Sequence, residues 1–340
     1  MGSALVAFGA PAFFNGLLEY PLTLMLAALV LGAVYVLRGE HAATIGAARL
    51  ARTVGVMLAV LGGTVGGKTL LGWNSLTSDA IFASRSFFGA LRVREQQFDD
   101  GARYHRLLHG TTLHGLQHLG AEKARRPTTY YTPTSGVGQA LSALSLQEQP
   151  VRVGVIGLGA GTLAAYGRKG DAYTFFEIDP QVVALSTAPA PLFTYLRDSE
   201  ARVDITGGDA RLSLERASPY GFDLLAVDAF SSDSVPVHLL TREAFALYAR
   251  HLRSPQGVLA VHVSNRFLEL EAIVQAGGAT AGFTTVQVDD DIETDDADRS
   301  TWMLLARDPS VLAHFGDAWN DAPVTPWTDA SSNLFQALRW

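Results

Sequence analysis

The chain has 340 residues, a formal net charge of −7, 48% hydrophobic residues and no cysteine. Its length suggests about two structural units, and the lack of cysteine excludes disulfides, thiolate catalysis and thiolate metal sites. Residues 1–75 carry four basic and two acidic side chains, so the acidic excess lies in the remainder. An acidic remainder argues against a nucleic-acid surface and suits a cationic substrate.

Two apolar runs lie within residues 1–75, which we predict to be a membrane segment. Residues 21–37 form an uncharged run of 17 residues, at the short end of what spans a bilayer. Residues 54–73 form a second run, which contains Lys68 and six glycines. We predict two transmembrane helices; the alternative is one anchor followed by a buried or interfacial helix. A signal peptide is disfavoured because the basic n-region is missing.

Residues 76–135 are predicted to form a small N-terminal β domain. Aromatic and β-branched residues are frequent in residues 80–93 and 103–117, and the turn sequences DDG and HG punctuate them, as is typical of β-hairpins. Several histidines occur here, but we predict no metal site because strand and turn positions do not gather them. These histidines are His105, His109, His114 and His118.

Residues 136–340 are predicted to form a nucleoside-binding catalytic domain. Apolar strand candidates such as VRVGVIG, YTFFEID and FDLLAVD alternate with helical stretches, and TWMLLA supplies a late strand. This alternation predicts an α/β fold with a parallel sheet covered on both faces. Open parallel sheets bind ligands beyond the carboxyl ends of their strands, so the residues that end each strand are the candidate site residues.

Gly157, Gly159 and Gly161 follow the first strand of this domain. Glycine lets the backbone approach a ligand closely, and we expect the N-terminus of the following helix to point at that ligand. A dinucleotide fingerprint would place its third glycine at Thr162. The spacing G-x-G-x-G instead favours an enzyme that uses a sulfonium nucleoside. A tight turn without a ligand, or NAD chemistry, stays open as an alternative.

Three acidic residues follow the next strands. Glu177 ends the second strand and can accept hydrogen bonds from both ribose hydroxyls, while Asp179 is better placed to cap the next helix. Asp209 follows the third strand and can accept from an exocyclic amino group such as that of adenine, or cap its helix, or both. Asp228 follows the fourth strand and can hold a cationic amine and accept its proton. Capping within its loop is the alternative for Asp228.

With these positions, residues 86–307 resemble the spermidine synthase family, the polyamine aminopropyltransferases. The N-terminus is similar to that of the bacterial subgroup in which this domain is fused to transmembrane helices. The resemblance implies a methyltransferase-like Rossmann fold with a mainly parallel seven-stranded sheet after a small β-hairpin domain. It implies transfer of an aminopropyl group from decarboxylated S-adenosylmethionine to a polyamine such as putrescine, with release of methylthioadenosine. It also implies a homodimer and no metal.

The resemblance assigns roles to single residues of this chain. Asp228 would be the catalytic aspartate, Glu177 the ribose ligand and Asp209 the adenine ligand. Gln117 in LHGLQ is similar to the glutamine of the family pattern LDGxxQ and joins the nucleoside-binding set with the three glycines. The residues implied for the amine substrate are Tyr130, Tyr131 and Asp233.

Three departures from the family pattern keep other functions open. Ala160 stands where the family loop GGGDGG has its aspartate, YYT replaces Y-x-E, and Asp233 follows Asp228 by five residues rather than three. One alternative is a methyltransferase that uses S-adenosylmethionine itself, for which Ala160 would leave room. Another is a membrane-tethered sensor of a nucleoside or polyamine that has no turnover.

The location of the catalytic domain follows from two arguments that conflict. Arg38, Arg49 and Arg52 lie between the apolar runs, and the positive-inside rule places them in the cytoplasm, which puts the large domain outside. A nucleotide-dependent enzyme requires the opposite, so we predict a bacterial inner-membrane protein with a cytoplasmic catalytic domain. The acidic run Asp289–Asp298 would gather polycations at the site or form a solvated loop.

Overall fold

The computed structural model describes most of the chain in seven stretches. Contacts divide the chain into two units, residues 1–94 and 95–340, which are described separately. The domain boundaries predicted after residues 75 and 135 stay predictions. The described stretches are residues 19–40, 44–77, 79–98, 101–110, 112–229, 236–319 and 324–338.

Two helices dominate the first unit, α1 (Glu19–Glu40) and α2 (Ile45–Thr77). They approach each other closely at glycines: a Cβ on Gly32 would lie 2.7 Å from the carbonyl oxygen of Gly55. Glycine removes the side chain that would hold two helices apart, so these glycines serve packing rather than breaking α2.

One helical stretch among the described residues, Ile45–Lys68 in α2, is long and apolar enough to cross a bilayer by length and composition. Within the described residues, Leu22–Leu37 in α1 is a shorter apolar helical stretch. The membrane location of both helices stays a prediction.

The β-hairpins predicted before the Rossmann domain are present. In the first unit, β1 (Ala80–Ser86) pairs antiparallel with β2 (Gly89–Gln97), and the division between the units falls within β2. In the second unit, β3 (Arg103–His109) pairs antiparallel with β4 (Thr112–His118).

A seven-stranded sheet forms the centre of the second unit, and each apolar run named above as a strand is one of its strands. The sheet order is β10-β11-β9-β8-β5-β6-β7; the five strands β5 to β9 run parallel, and β11 runs antiparallel to both β9 and β10. This topology confirms the methyltransferase-like Rossmann fold. The strands are β5 (Arg152–Ile156), β6 (Ala172–Glu177), β7 (Arg202–Gly207), β8 (Leu224–Val227), β9 (Val258–His262), β10 (Thr284–Asp290) and β11 (Ser300–Ala306).

Helices connect these strands and bury their apolar faces on the sheet. Every residue of β8 and of β9 is buried, as expected for parallel strands that are covered on both faces. Phe245 and Ile273, from two of the helices, belong to the same buried core as Leu225 and Leu259 from these strands. The helices are α3 (Gly136–Ser145), α4 (Pro180–Thr187), α5 (Tyr195–Asp198), α6 (Ala210–Arg216), α7 (Arg242–His251) and α8 (Glu271–Thr280).

Candidate active site

Asp228 lies directly after β8, between the ends of β5 and β9. Its backbone N–H donates to the carbonyl oxygen of Ile156, the last residue of β5, at 2.9 Å. The parallel pairing of β8 with β5 and β9 places the ends of these strands along one edge of the sheet. The glycine loop, Asp228 and the end of β9 therefore meet where open parallel sheets bind their ligands.

Both oxygens of the Asp228 carboxylate have side-chain partners. The hydroxyl of Tyr131 donates to Oδ2, and Nδ1 of His262 lies 2.9 Å from Oδ1. Only 6% of the Asp228 side chain is exposed. Burial by itself raises the pKa of a carboxyl, but the His262 imidazole and the two hydrogen bonds outweigh burial, so the pKa of Asp228 is lowered. Asp228 is a buried, ionised carboxylate at neutral pH.

His262, the last residue of β9, is a site residue that the sequence analysis missed. Its ring stacks between Tyr130, with a centroid distance of 4.6 Å, and Trp302, at 4.8 Å. Its Nε2 atom lies 2.9 Å from Oγ of Ser264. The sequence did contain the signal, because the strand-end rule that selected Glu177 and Asp228 selects His262 when it is applied to VLAVH.

A second imidazole, that of His114 on β4, also faces this region. Its Nε2 atom is buried and has no hydrogen-bond partner. Burial and the neighbouring His109 lower the pKa of His114 to about 4, although the charge of Asp228 acts in the opposite direction. His114 is therefore neutral at pH 7 and has a buried nitrogen available to a ligand. In the sequence, His114 is notable only as one of several neighbouring histidines.

The glycine loop packs directly against Asp228. Gly157, Gly159 and Gly161 have φ angles of 97°, 53° and 83°. A Cβ on Gly157 would lie 2.2 Å from the carbonyl oxygen of Asp228, so a larger residue there would displace the Asp228 backbone. We expected these glycines to approach a ligand closely; in the structure Gly157 approaches the candidate catalytic residue.

The element after the glycine loop is not the helix that we expected. It is a short 3₁₀ helix, Thr162–Tyr166, so the expectation of a helix N-terminus aimed at the ligand was wrong. The 3₁₀ helix ends at Gly167, whose φ of −67° and ψ of 131° are those of extended backbone. Five residues do not build the aligned dipoles that make a helix N-terminus attractive to an anion.

Ala160 leaves no room for a larger donor. It is fully buried, and a Cβ on Gly115 of β4 would lie 2.5 Å from its own Cβ. Strand β4 therefore occupies the space beside Ala160. The room that the methyltransferase alternative expected at this position is absent, because the hairpin strand packs onto the glycine loop.

Glu177 connects the end of β6 to the glycine loop. Its Oε2 accepts from the backbone N–H of Leu158 at 2.9 Å, and its Oε1 accepts from that of Asp179 at 2.8 Å. Burial raises the pKa of Glu177 in spite of these hydrogen bonds. Asp179 is the N-cap of α4 and accepts from the backbone of Gln181 at 2.9 Å, as its position in the sequence suggested.

Asp209 occupies the N-cap of α6, the alternative that the sequence left open. Oδ1 accepts from the backbone N–H of Leu212 at 2.9 Å, and Oδ2 lies 3.3 Å from Nε2 of His238. Capping uses only one of the two carboxylate oxygens of Asp209. A role of Asp209 in binding adenine therefore stays a prediction.

Gln117 is buried, and its amide bonds to the protein. Its Nε2 donates to the carbonyl of Ala124 at 2.8 Å and to Oγ1 of Thr194 at 2.9 Å, while its Oε1 accepts from the Thr194 backbone at 2.7 Å. These bonds tie β4 to the start of α5, so any contact of Gln117 with a nucleoside would come in addition to a structural role. Asp233 lies outside the described residues.

Two acidic residues of the run Asp289–Asp298 contact other side chains of the domain, and the role of the run stays a prediction. Oδ2 of Asp290 accepts from the hydroxyls of Thr132 at 3.0 Å and Thr134 at 2.7 Å, beside the tyrosine pair. Oδ2 of Asp296 lies 2.9 Å from Nε2 of His118. The other acidic residues of the run Asp289–Asp298 are mostly exposed.

Within the described residues, no group of three or more His, Asp or Glu side chains could hold a metal ion. The four histidines of the β domain lie on β3 and β4. Nδ1 of His105, for example, lies 2.7 Å from the carbonyl oxygen of Leu192.

Comparison with known proteins identifies one curated relative. No family model matches the chain. The polyamine aminopropyltransferase of Vibrio vulnificus is 33% identical over 138 residues, which are 38% of this chain and 42% of the relative. Over those residues the chain is similar to that enzyme. Because the match spans less than half the length of that relative, the activity, substrates and partners of the whole protein are proposals.

Solved structures with a similar fold include spermidine synthases. A probable spermidine synthase from Corynebacterium glutamicum aligns with a TM-score of 0.49 and 19% identity, over 64% of this chain and 76% of that chain. A spermidine synthase in complex with the transition-state analogue AdoDATO aligns with a TM-score of 0.46 and 14% identity, over 72% and 82%. At these TM-scores the structural likeness carries no argument about function.

Proposed function

We propose that the chain is an aminopropyltransferase-like enzyme that transfers an aminopropyl group from decarboxylated S-adenosylmethionine to a polyamine such as putrescine. The observation that carries this proposal is the Asp228 carboxylate, which is ionised, almost fully buried and packed against the glycine loop. Among the described residues no lysine or arginine forms an ion pair with Asp228, and a buried anion of this kind is suited to a cationic substrate.

The proposed reaction is a displacement at carbon. The lone pair of the amine nitrogen forms a bond to the methylene carbon beside sulfur, the carbon–sulfur bond breaks, and sulfur keeps the electron pair as the thioether of methylthioadenosine. Asp228 orients the amine and accepts the proton that the new secondary ammonium releases. Most of the rate enhancement would come from positioning, since a sulfonium is already a good leaving group.

The nucleoside half of the donor would lie along the ends of β5 to β7. Glu177 is proposed to bind the ribose hydroxyls through the lone pairs that Leu158 and Asp179 leave free, and Asp209 to accept from the adenine amino group. Next to Asp228, the buried Nε2 of His114 is neutral at pH 7 and can accept a hydrogen bond from an ammonium group without adding positive charge.

We also propose that the protein is held in the bacterial inner membrane by its N-terminal helices and that it forms a homodimer. Apolar side chains cover the outside of α2: Met57 is 65% exposed and Leu61 60% exposed. An exposed apolar surface of this kind suits lipid rather than water. The catalytic domain is then expected in the cytoplasm, where nucleoside substrates are found.

The test is calorimetric titration and turnover of the detergent-solubilised full chain. Decarboxylated S-adenosylmethionine, S-adenosylmethionine and methylthioadenosine are titrated with and without putrescine or spermidine, and release of methylthioadenosine is followed. We expect tight binding of the decarboxylated donor and release of methylthioadenosine only when an amine is present. Transfer from intact S-adenosylmethionine would instead indicate a methyltransferase, and binding without turnover a sensor.

Asp228→Asn should abolish transfer and leave binding of methylthioadenosine nearly unchanged, because the substitution removes the charge and keeps the shape. The matched control is Asp204→Asn, which changes a half-exposed acid on β7 that is paired with Arg202. Equal loss of transfer and of nucleoside binding in Asp228→Asn would contradict the assigned role.

A further inference from the structure

The imidazole of His262 is held by contacts on both of its faces and both of its ring nitrogens. His262 and Trp302 are directly opposite each other on the antiparallel strands β9 and β11, and their rings are inclined by 24°. On the other face, the ring of Tyr130 is inclined by 16°. The indole Nε1 of Trp302 donates to the carbonyl oxygen of Tyr130 at 3.2 Å, which ties the outer members of this stack together.

The hydrogen bonds at the edge of the ring determine where its proton lies. Oγ of Ser264 accepts from the backbone N–H of Thr301 at 2.7 Å and lies 2.9 Å from Nε2 of His262, so the backbone of β11 holds the partner of this nitrogen in place. Nδ1 faces the ionised Asp228 carboxylate and therefore carries a hydrogen. His262 is therefore the donor in its contact with Asp228, while Ser264 holds the opposite nitrogen of the ring.

We propose that His262 is a positioning residue for Asp228: its imidazole, clamped between Tyr130 and Trp302, fixes one carboxylate oxygen so that a free lone pair is presented to the incoming amine. This inference rests on the proposed function for its chemistry, but it concerns a residue that carries no role in the resemblance. His262 does not touch the reacting atoms in this scheme and acts through Asp228.

The other titratable groups described around Asp228 do not replace the hydrogen bond between His262 and Oδ1 of Asp228. Tyr131 holds the second oxygen, Oδ2. His114, on β4, has a pKa of about 4 and is neutral at working pH. Burial raises the pKa of Tyr130 well above its usual range, so it contributes no charge. The N–H of His262 is thus the donor that orients Oδ1 and opposes the effect of burial on Asp228.

The test compares three variants of the full detergent-solubilised chain. His262→Leu removes the donor, His262→Asn keeps an N–H close to the position of Nδ1, and His118→Asn is the matched control. His118 is also a buried histidine, and its ring nitrogen lies 2.9 Å from Asp296, outside the site. Thermal unfolding of each variant reports whether a loss of function is a loss of folding.

The first measurement is a pH titration of the ¹³C-labelled aspartate carboxyl signal that disappears in Asp228→Asn. We expect the midpoint of this signal to rise by about one pH unit or more in His262→Leu and to return towards the wild-type value in His262→Asn. The control should not move it. An unchanged midpoint in His262→Leu, or equal midpoints in the two His262 variants, would overturn the proposal.

The second measurement is the pH profile of kcat/KM for the amine. The acidic limb should move to higher pH in His262→Leu, which below that limb corresponds to about a tenfold loss for each pH unit, and His262→Asn should recover it. If the wild-type chain releases no methylthioadenosine, the proposed function fails, while the carboxyl titration still decides the role of His262.

Discussion

The hydroxyl of Tyr131 donates a hydrogen bond to Oδ2 of Asp228, a residue 97 positions further along the chain. Tyr131 is itself buried, with 5% of its surface exposed, so this hydrogen bond forms where water does not compete. Together with the His262 contact it leaves Asp228 with a lowered pKa in a position where burial alone would raise it.

Removing that hydroxyl should make Asp228 a weaker acid. In Tyr131→Phe the pKa of Asp228 should rise, since a hydrogen bond to a charged group contributes about 1.5–3 kcal/mol. On acidification, Asp228 would then become protonated at a higher pH than in the wild-type chain. We therefore expect the acidic limb of the kcat/KM profile to move up by about one pH unit. Tyr248→Phe is the control, because its buried hydroxyl donates to the carbonyl of Leu239 in another part of the domain. A profile identical to wild type would contradict the catalytic importance of the Tyr131 bond.

Glu177→Gln should weaken nucleoside binding. An amide accepts through one oxygen only, so Gln at this position cannot accept both backbone N–H groups and also receive ribose hydroxyls. We expect the Kd for methylthioadenosine to rise at least about tenfold, measured by calorimetry. Since burial raises the pKa of Glu177, binding to the wild-type chain should fall as the pH drops through a value above the usual range of glutamate. Glu200→Gln, an exposed acid paired with Arg125, should have no effect.

His114 should make the folded chain sensitive to mild acid. Its pKa is about 4 in the folded protein and near 6.5 in the unfolded chain, so between these values the unfolded state binds more protons. Stability is therefore lost as the pH falls from 6.5 to 4, by up to about 3 kcal/mol. Urea unfolding at several pH values should show a smaller loss in His114→Gln than in wild type. The same substitution at exposed His314 serves as the comparison; if both variants lose as much stability as wild type, His114 does not cause the effect.

The absence of cysteine allows a direct test of membrane topology. Single cysteines are introduced at Thr44, before α2, and at Leu146, which is 86% exposed after α3. If the helices span the inner membrane and the catalytic domain is cytoplasmic, an impermeant maleimide should label Thr44→Cys in spheroplasts and Leu146→Cys only after lysis. The opposite pattern would favour the positive-inside argument. Labelling of both positions only after lysis would contradict the predicted span.

Much of the Rossmann domain was predictable because buried parallel strands are continuous apolar runs. Each of the four apolar runs named as strands contains a strand, and the rule that sites lie at strand ends led to Glu177 and Asp228. The same rule pointed to His262, which was missed because a histidine within an apolar run carries no local sign of its partner. The helix after the glycine loop was predicted wrongly because a glycine within a helical stretch does not by itself show that the helix ends there, as it does at Gly167.

The sequence by itself determined the order of elements, the acidic charge of the second unit and the residue types at each strand end, since these follow from local periodicity and composition. Only the tertiary structure decided which of those side chains meet. The register of β9 against β11 sets His262 opposite Trp302, and the parallel pairing of β8 with β9 brings His262 within 2.9 Å of Asp228. Such contacts join residues that are distant in the chain, and only the packing of the whole sheet determines their geometry.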